Sequence, residues 1–171
     1  MNDDLYQRYL DRALKFLSYR PRSEKEIRNK LTEKKASKEI VDKIIAWLKE
    51  QRFINDEEFA RWWLDQRTTF RPKGERFIRL ELKQKGIEND IINAVFDSAL
   101  KEGMGHLGIA NESVVRDEKM IAKEIVIRKL PKYKDLPKFE IYKKIGAHLA
   151  RRGFNWDTIK ASIDDVLQNG V

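Results

Sequence analysis

An all-α protein, a tandem array of three three-helix repeats with helix-turn-helix-like units, is the fold this sequence predicts. Three observations predict it. The first is self-similarity, which is sought before any element is assigned. Residues 71–86 read as a turn, a basic amphipathic helix and a glycine stop, followed by a helix from about Asn89 to Leu100, and the same unit lies 51 residues earlier without a gap. Between 20–48 and 71–99, eight positions are identical: Arg20/Arg71, Pro21/Pro72, Glu24/Glu75, Ile27/Ile78, Arg28/Arg79, Leu31/Leu82, Lys34/Lys85 and Ile40/Ile91. Chance gives about two. A third copy lies a further 67 residues on, with Ile145 on Ile78, Leu149 on Leu82, Arg152 on Lys85, Gly153 on Gly86 and Ile159 on Ile92. The second observation is apolar periodicity, which is helical in segment after segment. The third is punctuation: caps, prolines and glycines fall where helices must start and stop.

The elements follow in order. A first helix from about Asp4 to Ser18 carries Leu10, Ala13, Leu14 and Leu17 at helical spacing. Arg20-Pro21 ends it, since proline disfavours helix at the residue before it. Ser23 with Glu26 forms a capping box for the second helix, whose inner face is Ile27 and Leu31. Lys34-Lys35 closes that helix at the negative end of its dipole. Ser37 caps a third helix with Ile40, Val41, Ile44, Ile45 and Leu48 inward and Trp47 on or beside that face.

Phe53-Ile54 is a short apolar joint. Repeat two opens at Asn55-Asp56, with Asp56, Glu57 and Glu58 suited to a helix N-terminus. Phe59, Trp62 and Trp63 form its apolar side. The adjacent tryptophans cannot point the same way. One faces the core of its own repeat, and the other packs on a neighbouring repeat or stacks nucleic acid bases. The polar basic turn 67–74 leads to a helix with Phe77, Ile78 and Leu82, stopped by Gly86 as a left-handed C-cap. Ile91, Ile92, Val95, Phe96 and Ala99 follow.

Residues 101–116, with Gly103, Gly105 and Gly108, are expected to be a linker or flexible loop. Their Gly-x-Gly-x-x-Gly spacing follows a helix and has no βαβ context, so it is not a dinucleotide fingerprint. Repeat three begins near Asp117 with Met120, Ile121, Ile125 and Leu130 as apolar positions up to Pro131. A basic connection, 132–138, leads to a helix with Ile141, Tyr142, Ile145 and Leu149 that ends at Arg151-Arg152-Gly153. Asn155 caps the last helix, with Ile159, Ile163, Val166 and Leu167 inward. The expected division is 1–54, 55–100, a linker 101–116, and 117–171.

Composition bounds the function. The chain has 171 residues, no cysteine and a net charge of +8. No apolar run is long enough to cross a bilayer, and Met1 to Asp4 begin no secretory signal, so a cytoplasmic protein is expected. Residues 20–35 carry +4, residues 71–85 carry +4 and residues 128–153 carry +7, so the remainder of the chain is at −7. Positive charge therefore lies on one helix of each repeat and on its opening turn, a pattern that fits a polyanion or an acidic protein surface. A solvated helix face is the alternative.

Nothing here resembles a catalytic constellation. His106 and His148 have no metal-ligand spacing, and neither a Gly-x-Ser-x-Gly nor a phosphate-loop sequence occurs. The acidic runs Asp56-Glu57-Glu58 and Asp164-Asp165 suit capping and solvation. The chain reads as a binding protein, not an enzyme, with no cofactor and no metal. The residues proposed to contact carboxylates or phosphates are Arg20, Arg22, Arg71, Lys73, Arg76, Arg79, Lys83, Lys85, Lys132, Lys134, Lys144, Arg151 and Arg152. Arg71, Lys73 and Lys85 recur with no evident structural need. Arg28 and Arg79 also suit i,i+4 pairs with Glu24 and Glu75.

The sequence resembles the RecX family, bacterial regulators of the recombinase RecA. The resemblance rests on Ala13-Leu14-Lys15-Phe16-Leu17 leading into 20–27, on 53–60 (Phe-Ile-Asn-Asp-Glu-Glu-Phe-Ala), on 78–87 and on 149–154 (Leu-Ala-Arg-Arg-Gly-Phe). It spans about residues 8 to 167. It implies an elongated, curved array that binds in the groove of the RecA–DNA filament. It also implies inhibition of ATP hydrolysis and strand exchange, and a place in homologous recombination, DNA repair and the SOS response. The partners it implies are the RecA filament and, more weakly and with salt dependence, single-stranded or duplex DNA; a monomer is expected. Two features depart from the family pattern: the Gly-rich stretch is long, and Ile125-Val126-Ile127 is apolar where relatives are more basic. The alternative is a DNA-binding protein that uses the helix-turn-helix-like repeats directly. Against it, residues 89–100 contain no Lys or Arg, which a major-groove helix needs.

Overall fold

Several helices begin and end where local chemistry favours it. A computed structural model describes residues 3–105 and 118–169, with the side chains of 4–99 and 118–168. Among the described residues there are nine α-helices, one 3₁₀ turn and no strand, so the all-α expectation holds. The helices are α1 (Asp3–Leu17), α2 (Glu24–Glu33), α3 (Lys38–Glu50), α4 (Asp56–Thr69), α5 (Glu75–Gln84), α6 (Asn89–Gly105), α7 (Glu118–Lys129), α8 (Lys138–Ala150) and α9 (Trp156–Asn169). The 3₁₀ turn is Leu130–Lys132.

The caps are as the sequence requires. Ser23 accepts from the Glu26 amide while the Glu26 carboxylate accepts from the Ser23 amide, the full reciprocal box. Ser37 accepts from the Ile40 amide, and Asn155 accepts from the Thr158 amide at 2.7 Å. Asn55 accepts from the amides of Glu57 and Glu58 at 2.9 and 3.2 Å.

The second helix of every repeat stops in the same way. Lys35 (φ 64), Gly86 (φ 85) and Gly153 (φ 88) occupy equivalent positions, all in the left-handed region. In each case the next amide reaches back to the carbonyl of the buried leucine: Ala36 to Leu31 at 3.1 Å, Ile87 to Leu82 at 3.1 Å and Phe154 to Leu149 at 3.3 Å. This is the Schellman arrangement, with an apolar residue beyond the stop packing near the leucine.

Contacts group the described residues into two compact units, and the division runs through repeat two. One unit is Met1–Trp63 with Leu82–Val95; the other is Leu64–Glu81 with Phe96–Val171. The core of the first gathers Leu10 and Ala13 of α1, Ile27 and Leu31 of α2, and Ile40, Val41, Ile44, Ile45 and Leu48 of α3. The core of the second gathers Ile121, Ala122, Ile125 and Val126 of α7, Ile141, Ile145 and Leu149 of α8, and Ile159, Ile163 and Val166 of α9. Each fully buried Leu or Ile contributes about 1.5–3 kcal/mol. Most apolar positions expected from periodicity are buried, while Leu14, Leu17, Phe77, Ile91, Leu130, Tyr142 and Leu167 are only partly so.

Three expectations are corrected. Met120 is 57 % exposed, and Ala122 and Val126 fill the inner face of α7 instead. Phe53 is also exposed, stacked on Trp47 with ring centroids 5.7 Å apart, and Ile54 alone is buried. Helix α6 continues to Gly105, five residues beyond its expected end. Gly103 and Gly105 are thus helical, which excludes a phosphate-binding loop between them. The rest of the expected linker, with His106 and Gly108, lies outside the described residues.

Candidate functional site

The recurrent basic residues have two destinations. One group is engaged inside the protein. In the first unit, Ser23 Oγ donates to the Lys85 carbonyl at 2.7 Å and the Lys85 ammonium pairs with Glu26 at 2.9 Å. That ammonium also lies 4.1 Å from the centre of the Trp63 ring. Arg20 pairs with the same Glu26 at 2.7 Å and lies 5.8 and 5.9 Å from the Trp62 and Trp63 rings. Burial opposes ionisation of Glu26, but hydrogen bonds from Arg20 and Lys85 outweigh it and hold its carboxyl below the ordinary range. The two tryptophans are thus covered by cations from within the chain: Trp63 is buried, Trp62 is half-buried, and both pack on Phe59.

The second unit repeats the joint with different atoms. Gly74 stands at the position of Ser23, and its amide donates to the Arg152 carbonyl at 2.9 Å. Arg152 Nη1 donates back to the Pro72 carbonyl at 3.4 Å. A Cβ on Gly74 would lie 2.2 Å from the Gly153 oxygen, and one on Gly153 would lie 2.5 Å from the Phe77 ring. The opening turn of one repeat therefore seats on the helix stop of the next, twice. In repeat one the equivalent carbonyl, that of Lys34, accepts from the Tyr9 hydroxyl at 2.9 Å. Lys85 therefore has a structural need, contrary to the reading from sequence.

Other predicted contact residues are engaged as well. Arg22 lies over the Phe16 ring at 3.7 Å, and burial, with Arg20 nearby, holds its guanidinium below its usual range. Lys73 and Arg67 both pair with Glu81, the latter at 2.7 Å. Arg79 pairs with Glu75 at 2.6 Å and covers Phe96 at 4.1 Å, and Arg28 pairs with Glu24 at 2.6 Å, so both i,i+4 pairs form. The acidic residues are likewise structural: Asp56 caps the Glu24 amide at 2.9 Å, Asp164 accepts from the Tyr142 hydroxyl, and Asp165 pairs with Lys123 at 2.8 Å. Burial and that bond to Asp164 push the Tyr142 hydroxyl up to about 12.

The second group, which shares Lys73 and Arg152 with the first, converges. In the second unit, Arg71, Lys73, Lys132 and Arg152 line one cleft of about 700 Å³ with Arg128, Lys129, Glu124, Ile125, His148 and Phe70. Arg71, Arg128, Lys129 and Lys132 have no carboxylate within 4.0 Å among the described residues. The positive field of the neighbouring cations is felt by His148, from Lys129, Arg152, Arg151 and Arg128 and not from Arg71 or Lys132. Burial first, then Lys129, Arg152, Arg151 and Arg128, lower its imidazole to about 4. Its Nε2 is buried without a partner. The cleft therefore pairs guanidinium and ammonium groups with a neutral imidazole. Arg76, Lys83, Lys134, Lys144 and Arg151 are exposed and do not line it.

Arg128, Lys129, Phe70 and His148 are among the lining residues that the sequence did not mark as contact residues. Arg128 and Lys129 sat in the most basic block and could have been chosen on charge alone. Phe70 carried no signal, and His148 drew attention only as a metal-ligand candidate, because only the fold brings the end of α4 beside α7 and α8. Among the described residues there is no group of three or more His, Cys, Asp or Glu able to hold a metal ion. No described helix is long and apolar enough to cross a membrane.

Three family models match in succession: RecX, first three-helix domain over residues 10–48, second three-helix domain over 55–95, and third three-helix domain over 117–163. A regulatory protein RecX of Prosthecochloris aestuarii is 31 % identical over 169 residues, covering 99 % of this chain and all of that protein. One from Bacillus velezensis is 32 % identical over 167 residues, covering 95 % of this chain. The chain spans 56 % of the length of that relative and of its Bacillus subtilis counterpart. Among solved structures, RecX from Lactobacillus salivarius matches in fold with a TM-score of 0.76 at 22 % identity, covering 97 % of this chain and 99 % of that one. Another regulatory protein RecX gives 0.73 at 25 % identity, covering 95 % and 74 %.

Proposed function

Because this chain belongs to the RecX family, we propose that it regulates a RecA recombinase by binding the RecA–DNA filament, and that the basic cleft of the second unit is a principal contact. Occupying the filament there suppresses ATP hydrolysis and strand exchange. The observation that carries the reading is the convergence in one cleft of Arg71, Arg128, Lys129 and Lys132, contributed by two repeats and without a carboxylate partner among the described residues. Cations left unpaired in a concave site are available for charge-assisted bonds to carboxylates or phosphates. The function is binding; no step of it asks this chain to make or break a covalent bond.

The test is a titration of the protein into a RecA–single-stranded DNA ATPase assay, with a DNA-only binding control at the same salt. The variant Arg71→Glu, Arg128→Glu, Lys132→Glu removes three charge-assisted contacts worth about 1.5 kcal/mol or more each. Half-inhibition then moves by well over ten-fold, while the helical circular dichroism is unchanged. Full inhibition by the variant overturns the site. Any direct DNA affinity falls with rising salt, because phosphate contacts release counterions.

A further inference from the structure

We propose that the cleft takes a single-stranded nucleotide of the filament's DNA, with its phosphodiester on Arg71, Arg128, Lys132 and Arg152 and its base stacked on Phe70. This rests on the cleft being the filament contact, and it chooses DNA over acidic protein surface as the ligand. Phe70 follows α4 directly, is 70 % exposed, and lines the same cleft as the cations. A lone exposed aromatic ring means little. A ring adjacent in sequence to an arginine with no carboxylate partner among the described residues, at a cleft with five further cations, matches what single strands need: a π-face for a base and a basic track for the backbone. Carboxylates on a protein surface would use the charges and leave the ring uncovered. Duplex DNA would as well, since its base faces are already stacked inside the helix. The volume of about 700 Å³ lies in the usual range for ligand clefts. Ile125 and the neutral imidazole of His148 also line it, so part of the cleft is free of formal charge, as a base requires. The tryptophan pair, one of which is the alternative stacking platform, is engaged within the chain: Arg20 lies beside both rings and Lys85 on Trp63.

The experiment compares a fluorescent oligothymidylate with an abasic oligomer of equal length, binding to the full chain and to Phe70→Ala and Phe70→Trp. Phe70→Ala is expected to weaken oligothymidylate about ten-fold, the loss of one base–aromatic stack. It leaves the abasic oligomer unchanged, and Phe70→Trp restores affinity. The triple charge reversal weakens both oligomers together. Equal binding of oligothymidylate and abasic oligomer by the unmodified protein would overturn the proposal, as would a change of less than about two-fold in Phe70→Ala. If the charge reversal abolishes RecA inhibition without changing oligonucleotide binding, the cleft reads acidic protein surface; the filament reading then survives and the nucleotide proposal falls. If neither inhibition nor binding responds to the charge reversal, the cleft itself is misassigned.

Discussion

Lys83 and Lys85 lie two residues apart at the end of α5, and they do unlike work. Lys83 is exposed, whereas the Lys85 side chain is 18 % exposed, paired with Glu26 and packed on Trp63. Lys85→Ala removes one of two partners from a largely buried carboxylate, so it is expected to cost about 1–3 kcal/mol in urea unfolding. Lys83→Ala is expected to stay within about 0.5 kcal/mol. Equal effects of the two would refute the joint. His148 makes a second residue-level prediction. Its imidazole, lowered from 6.5 to about 4, stays neutral across the physiological range. An NMR titration of its ring protons should be flat from about pH 8 to about pH 5; a midpoint at or above its ordinary value would contradict the burial and the cation field. The unfolded chain binds this proton more readily than the folded one. The stability His148 contributes is therefore present above 6.5 and declines as pH falls from there toward 4. His148→Gln should flatten that part of the stability curve.

At the scale of an element, the second helix of each repeat is defined by its stop as much as by its inner face. Gly86 and Gly153 hold left-handed conformations against Lys25 and Phe77, and Gly74 meets the backbone of Gly153. Gly74→Ala and Gly153→Ala force atoms below 3.0 Å, and each is expected to cost about 1–3 kcal/mol by overpacking. Gly146 is the internal control. It lies within α8, and a Cβ there would make ordinary contacts at 3.6 Å with Ile159 and Trp156. Gly146→Ala should therefore stabilise by about 0.5–1 kcal/mol, since alanine is the better helix former. Thermal unfolding of the three variants checks the set, and a stabilising Gly74→Ala would refute the close approach. Lys35 holds the same left-handed stop in repeat one without being glycine, so the shared geometry belongs to the repeat and not to the residue type.

For the whole molecule, positive charge is spread over three repeats in sequence, and folding gathers part of it from repeats two and three. Its largest block, 128–153, supplies Arg128, Lys129, Lys132 and Arg152 to one cleft, and Arg71 joins them from the turn after α4. The helices, their caps and the buried faces were legible beforehand, because Ser23, Ile27, Leu31 and their copies act through local spacing and local bonds. The repeat was legible for the same reason. The roles of the recurring cations were not. Arg71 and Lys85 look alike in sequence, yet one lies in an open cleft and the other seals a joint. What distinguishes them is the neighbour each meets across long stretches of chain: Glu26 lies 59 residues from Lys85. Phe70 was unmarked for the same cause, and His148 was weighed only as a metal ligand. An all-α chain of three capped, amphipathic three-helix repeats with clustered basic charge follows from near neighbours and composition alone. Which cations pair with internal carboxylates and which remain for a ligand depends on the folded arrangement, because pairing and burial are set by residues distant along the chain.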